Sequence, residues 1–161
     1  RSGIISVSPK ESVASGSVGG PRRFFPRVSG RYIKLNSRNS MSDCIVRFFE
    51  TWEIEDDAER IAMIKKTVTD MVIYDDPRTT ETIHGPASLN KYVGMFSKNA
   101  PGWSAGVVKC DTIAGFTRVT VAFGGIGPDG NEMVQLGQYF VEKKDDKISR
   151  MIGFVGTGEP G

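Results

Sequence analysis

Histidine occurs once in the 161 residues, as His84, and cysteine twice, as Cys44 and Cys110. One imidazole and two distant thiols give no ligand cluster at metal spacing, so no metal centre is expected. A single pair of cysteines is not the framework of a disulfide-stapled secreted domain. Both read as reduced core residues of a cytoplasmic protein. No apolar run approaches the roughly 18 residues of a transmembrane helix, so no membrane association is expected. Internal repeats are absent. So is a phosphate-binding glycine loop: AFGGIGPDG, residues 122–130, lies between two β patterns and not before a helix. A dinucleotide reading fails on that context, and no cofactor is expected.

Basic residues are scarce where a fold can form. Residues 1–40 carry eight Lys/Arg and one acid, Glu11, whereas residues 41–161 carry thirteen Lys/Arg and eighteen acids. The basic balance of the whole chain therefore belongs to its first quarter. The remainder offers no basic stripe for nucleic acid. Residues 1–40 are rich in Ser, Gly, Arg and Pro and show no period of 2 or 3.6. Such a segment cannot bury enough apolar surface to offset its ordering entropy. It reads as a disordered basic tail: upstream or added sequence ahead of a start at Met41, an import presequence, or, third, a nucleic-acid-binding arm.

What is present from residue 41 onward is a change of period. Ser42 or Asp43 can cap a helix that carries Ile45, Phe48, Phe49 and Trp52 on one face. Asp56 and Glu59 make a capping-box pattern for a second helix with a stripe of Ile61, Ala62, Ile64 and Val68. DMVIYDD alternates as a strand, TTETI reads as a short second one, and Gly85-Pro86 opens a third helix presenting Leu89, Tyr92, Val93 and Phe96. After Pro101 come four strands, in residues 103–114, 116–127, 132–143 and 147–156. Their breaks are Gly115, Pro128-Asp129-Gly130 and Lys144-Asp145-Asp146, which predicts an antiparallel meander. Helices first and a curved sheet after them give an α+β architecture, with the helices covering one face.

This order resembles the nuclear-transport-factor-2-like superfamily, in particular its SnoaL-like and ketosteroid-isomerase-like branch. The carriers are FFETW followed by the EDD helix start, the strand-to-turn VIYDDP, the join IHGPASLNKYV and the terminal pair LGQYFVEKKDDKISRMIGFVG. The resemblance covers residues 41–161. It implies a cone-shaped curved antiparallel sheet wrapped around N-terminal helices, an α+β barrel of the cystatin-like kind, often paired into a homodimer through the open sheet face. On that face the chain would present Gln135, Tyr139, Arg118 and Arg150.

Alternation then selects the inward side chains. On the first strand these are Val72, Tyr74 and Asp76, and on the two following long inner strands Val119, Val121, Phe123 and Val134, Leu136, Gln138, Phe140. The last strand adds Met151, Gly153 and Val155. Phe48, Trp52, Tyr92 and Phe96 would close the open end. An apolar cavity with few polar groups has the anatomy of a small-molecule site, although the same aromatics could simply fill a core.

In ketosteroid-isomerase-like proteins the acid before the proline at the end of this strand is the general base, and Asp76 before Pro77 matches it. The resemblance also implies two acidic donors. Their positions fall here on Phe48 or Phe49 and on Gln138, which speaks against steroid isomerisation. Asp76 could equally be a turn former, Asp75 points outward, and His84 reads as a surface or rim residue. Scytalone-dehydratase-like members use more than one histidine. Three functions fit: a cofactor-independent acid/base enzyme (isomerase, cyclase or lyase) on a small apolar or aromatic molecule, a carrier of such a ligand, or a dimerisation module with a filled core.

Overall fold

The computed structural model describes Ile5–Ser6 and residues 43–160. The elements run β1 (Ile5–Ser6), α1 (Asp43–Glu50), a 3-10 turn (Thr51–Glu53), α2 (Asp57–Thr67), β2 (Val68–Asp75), β3 (Ile83–His84), α3 (Gly85–Asn99), β4 (Ser104–Ile113), β5 (Phe116–Ile126), β6 (Glu132–Lys144) and β7 (Lys147–Val155). They build a seven-stranded sheet in the order β3-β2-β7-β6-β5-β4, with β1 off the path on β6. The meander β4–β7 is antiparallel throughout, whereas β2 joins β7 in parallel. The sheet is therefore mixed, curved and unclosed. No helix among the described residues is long and apolar enough to cross a membrane.

The turns follow from their residues. Ala114 and Gly115 both take positive φ, 51° and 82°, and so do Asp145 and Asp146, at 52° and 61°. Two consecutive left-handed residues make the type I′ turn that matches strand twist, which Gly, Asp and Asn tolerate best. Register shifts between Val107 and Lys109 and between Glu142 and Lys143 bend the sheet over the helices. The core lies on its inner face: Ile45, Phe48 and Phe49 from α1, Ile64 from α2, Leu89 and Val93 from α3, against Val72, Tyr74, Val119, Val121, Val141 and Met151.

Of residues 1–40, only Ile5–Ser6 is described. These two residues pair antiparallel with Val134 and Met133 of β6, so the expectation of a tail without structure does not hold there. The rest of that tail, and Ser42 as a cap, lie outside the described residues. The second strand, read from TTETI, shortens to Ile83–His84 because Thr79 is drawn into a turn with Asp76.

Helix α2 departs from its expected stripe. Its cap is as read, with Asp56 Oδ1 accepting from the Glu59 amide at 2.8 Å. Ala62, however, is exposed, and Arg60 is buried. Arg60 Nε donates to Asn90 Oδ1 of α3 at 2.9 Å. One terminal nitrogen donates to the carbonyls of Ile54 and Glu55 at 2.9 and 3.1 Å, and the other to Asp57 Oδ1 at 2.7 Å. Asn90 Nδ2 donates to the same Asp57 oxygen at 3.0 Å. A buried guanidinium is tolerated because its donors meet acceptors. Here it fastens α2 to α3 and to the loop before α2.

Candidate functional site

The inner face of β6 is the opposite of the one expected. In antiparallel pairs, residues directly across from one another share a face. Val119 lies opposite Tyr139 and Val121 opposite Gly137, while Gly153 lies opposite Tyr139 and Met151 opposite Val141. Gln135, Gly137, Tyr139 and Val141 therefore point inward. Gln138 and Phe140 point out, and Phe140 is 42% exposed. Gln135 and Tyr139 likewise leave the outer face, where Arg118 and Arg150 remain.

The reason is steric. A Cβ at Gly153 would lie 2.5 Å from Cε1 of Tyr139, so the Tyr139 ring lies over a bare backbone. A glycine on an inner face carries no hydrophobic signal, yet it makes the room that an aromatic neighbour fills.

Tyr139 sits in a cluster of rings. Its centroid is 5.0 Å from Phe49, 6.4 Å from Tyr74 and 6.4 Å from Phe123. Trp52 packs edge-on to Phe96 at 4.9 Å and meets Tyr92 and Phe123. Between these rings and the ends of the strands lies a cavity of about 500 Å³. Trp52, Tyr92, Phe96, Phe123 and Asp76 line it. Phe48, Tyr74, Val121 and Met151 lie behind the wall as fully packed core.

Sequence reading missed Arg78, Trp103, Gln135, Tyr139 and Phe154 in the lining. Trp103 could have been found. It follows the helix-ending Asn99-Ala100-Pro101-Gly102, and it packs over Gly125, where a Cβ would meet its ring at 2.5 Å. The Nε1–H of Trp52 is buried without an acceptor among the described residues.

Asp76 closes the inner end of the rim and is saturated with donors. Its Oδ1 accepts from the amides of Arg78 at 2.8 Å and Thr79 at 3.1 Å. Its Oδ2 accepts from the Tyr74 hydroxyl at 2.7 Å and from the Tyr92 hydroxyl in a very short bond. A carboxylate has about four lone-pair sites, and all four are occupied. Asp76 is thus both a turn former and the anchor of two phenols. Tyr92 is the member that also faces the cavity. His84 is an exposed residue just before α3 and takes no part. Among the described residues no group of His, Cys, Asp and Glu is placed to hold a metal ion. Neither Cys44 nor Cys110 forms a disulfide among the described residues, and burial, then the nearby Asp111, pushes the Cys110 thiol up to about 11.

Burial first, then charge and hydrogen bonding around Asp76, holds the phenols of Tyr74 and Tyr92 well above the ordinary value of 10.0. Burial also raises Tyr139, against the lowering effect of its hydrogen bond with Tyr74. The folded state thus binds these protons more tightly than the unfolded one. The stability they confer is complete below the unfolded value of 10.0 and is lost as pH climbs above it. In an alkaline titration, phenolate absorbance from these three of the four tyrosines should appear together with unfolding. Their independent titration near the ordinary value, with circular dichroism unchanged, would contradict the buried cluster.

No family model matches the chain, and no curated protein matches it in sequence. Solved structures do match. One is described as an isomerase of the SnoaL-like family from Agrobacterium tumefaciens, with a TM-score of 0.61 at 20% identity, covering 73% of this chain and 98% of that one. A second is described as a SnoaL-like polyketide cyclase from Jannaschia, with a TM-score of 0.60 at 13% identity, covering 80% and 91%. A third is an epoxide hydrolase from M. tuberculosis, with a TM-score of 0.55 at 11% identity, covering 73% and 83%. The chain has the nuclear-transport-factor-2-like fold. At these identities the likeness is one of fold, and this fold hosts many chemistries.

Proposed function

We propose that the cavity binds a small apolar or aromatic molecule and that Asp76 is the proton acceptor of a cofactor-independent isomerase, cyclase or lyase reaction, working through Tyr92. The observation that carries this reading is one side chain with two contacts: Tyr92 lines the cavity and donates to Asp76. A volume of about 500 Å³ lies within the range of drug-sized ligand sites. Since every Asp76 lone pair is engaged, the ligand meets the phenol oxygen first. A C–H proton of the ligand passes to the Tyr92 oxygen as the phenolic proton passes to Asp76 Oδ2. This leaves a ligand enolate and a neutral carboxylic acid, and the reverse relay returns the proton to a different carbon. The cyclase, isomerase and epoxide hydrolase descriptions of the structural neighbours support a small-molecule role.

The test uses two probes. N-phenyl-1-naphthylamine, which is neutral and fluorescent, should bind once per chain, and Gln135→Trp, which fills the cavity from β6, should weaken it at least tenfold with the melting temperature little changed. Protein in D2O should also accelerate deuterium exchange at the acidic carbon of 2-tetralone, followed by NMR. Binding without exchange favours a carrier. Absence of binding leaves the dimerisation module.

A second proposal concerns the outer face. Phe116, Phe140 and Phe154 are exposed there, with Phe140 and Phe154 edge to face at 5.8 Å. Arg118, Glu142 and Arg150 surround them, so both signs of charge flank one apolar patch, which suits a self-complementary two-fold contact. We expect a homodimer through this face. Phe140→Glu should yield a folded monomer in sedimentation equilibrium, and an unchanged mass would refute the interface.

A further inference from the structure

We propose that the ligand is an anion, an aromatic or alicyclic carboxylate or a comparably delocalised oxyanion, and that Arg78 at the mouth of the cavity holds its charged end. This rests on the binding reading above and specifies the ligand class.

Among the described residues, the cavity lining contains two charged ones, Asp76 and Arg78. Asp76 is committed to four protein donors. The guanidinium of Arg78 has no ion pair or hydrogen bond among the described residues, although its backbone amide is one of those four donors. An exposed arginine usually floats on a loose chain segment. This one is mounted on a rigid turn. Pro77 fixes one backbone angle, the Asp76 side chain binds the next two amides, and the Thr79 hydroxyl donates to the Asp76 carbonyl at 2.9 Å. Arg78 is exposed, and it lines the cavity together with Tyr92 and Tyr139.

Much of the rest of the lining is aromatic: Trp52, Phe96, Trp103 and Phe123. A site with one uncommitted planar cation at its mouth and aromatic rings behind it matches a molecule with an apolar body and an oxyanion head. The guanidinium fork grips a carboxylate through two parallel bonds, which a point charge cannot do.

The experiment compares 2-naphthoate with 2-naphthylmethanol, which has the same ring system and a neutral oxygen head. Binding is read from the quenching of tryptophan fluorescence by the intact chain and by Arg78→Gln. The carboxylate should bind wild type about tenfold tighter than the alcohol, the low end for a charge-assisted pair at a partly exposed position. Rising salt should narrow the gap, and Arg78→Gln should close it. If both probes bind wild type equally, or if Arg78→Gln leaves the gap intact, the anion assignment is overturned while the binding site stands. If neither probe nor the neutral naphthylamine binds, the cavity reading falls and takes this one with it.

Discussion

Asp76→Ala is expected to lower the stability of the folded chain by about 3 kcal/mol, because it strands the buried phenol of Tyr74, the half-buried phenol of Tyr92 and two turn amides at once. Asp76→Asn should be much milder, near 1 kcal/mol, since its carbonyl can serve the two amides while the phenols rotate to accept from its NH2. The two roles of the residue separate at that point. If Asp76 accepts a proton, the asparagine variant should lose at least about a hundredfold of the 2-tetralone exchange rate while still binding the neutral naphthylamine. Tyr92→Phe should lose a similar factor, and the double variant little more, because the two act as one relay. Urea unfolding and NMR exchange on the same four proteins give the answer. An asparagine variant that exchanges as fast as wild type would remove Asp76 from the chemistry and leave it as the anchor of the turn.

The second large effect lies at Arg60. Arg60→Ala should cost about 3 kcal/mol, as it leaves Asn90 and the Ile54 and Glu55 carbonyls without their donor. Arg60→Lys should recover little, for an ammonium cannot reach acceptors set out for a planar fork. Gly94 sharpens the test. An alanine Cβ there would lie 2.4 Å from an Arg60 terminal nitrogen. Gly94→Ala should therefore destabilise the wild-type chain, although glycine to alanine inside a helix ordinarily gains up to about 1 kcal/mol. In the Arg60→Ala background the same change should turn stabilising. Additive effects in this double-mutant cycle would show that the guanidinium does not fill the space over Gly94.

Both residues mark where sequence reading succeeds and where it stops. The helices and the meander were legible within a residue or two, because period, caps and paired left-handed turn residues all agreed. Asp76 was legible because an acid between an alternating strand and a proline is chemically unusual. Its company was legible only in part, since Tyr74 and Tyr92 were expected at the same cavity but not as donors to its carboxylate. Tyr92 comes from a helix that begins nine residues further along, and only the fold sets its hydroxyl against the carboxylate. Arg60 was unreadable for a related reason: its burial depends on acceptors from a loop and from α3. On β6 the signal itself misled. Val134, Leu136 and Phe140 form the more hydrophobic alternation, yet they face outward, since Gly137, Gly153 and Tyr139 divide the inner volume between bare backbone and one large ring. The outer set then carries the apolar patch proposed to meet a second copy.

The parallel pairing of β2 with β7 has a consequence for the order of assembly. Val68 lies beside Ile148 and Asp75 beside Ile152, partners nearly at opposite ends of the folded chain. Loop closure over so long a span must precede any return from the contact, so this seam is expected to form late and slowly. During synthesis, the segment bearing Asp76 leaves the ribosome long before its neighbouring strand exists. The rim of the cavity is then a part of the fold that waits until β7 has been made. A ligand held there would report that β7 is in place, and loss of β7 alone would leave α1 to α3 and the β4–β6 hairpins with no site to share.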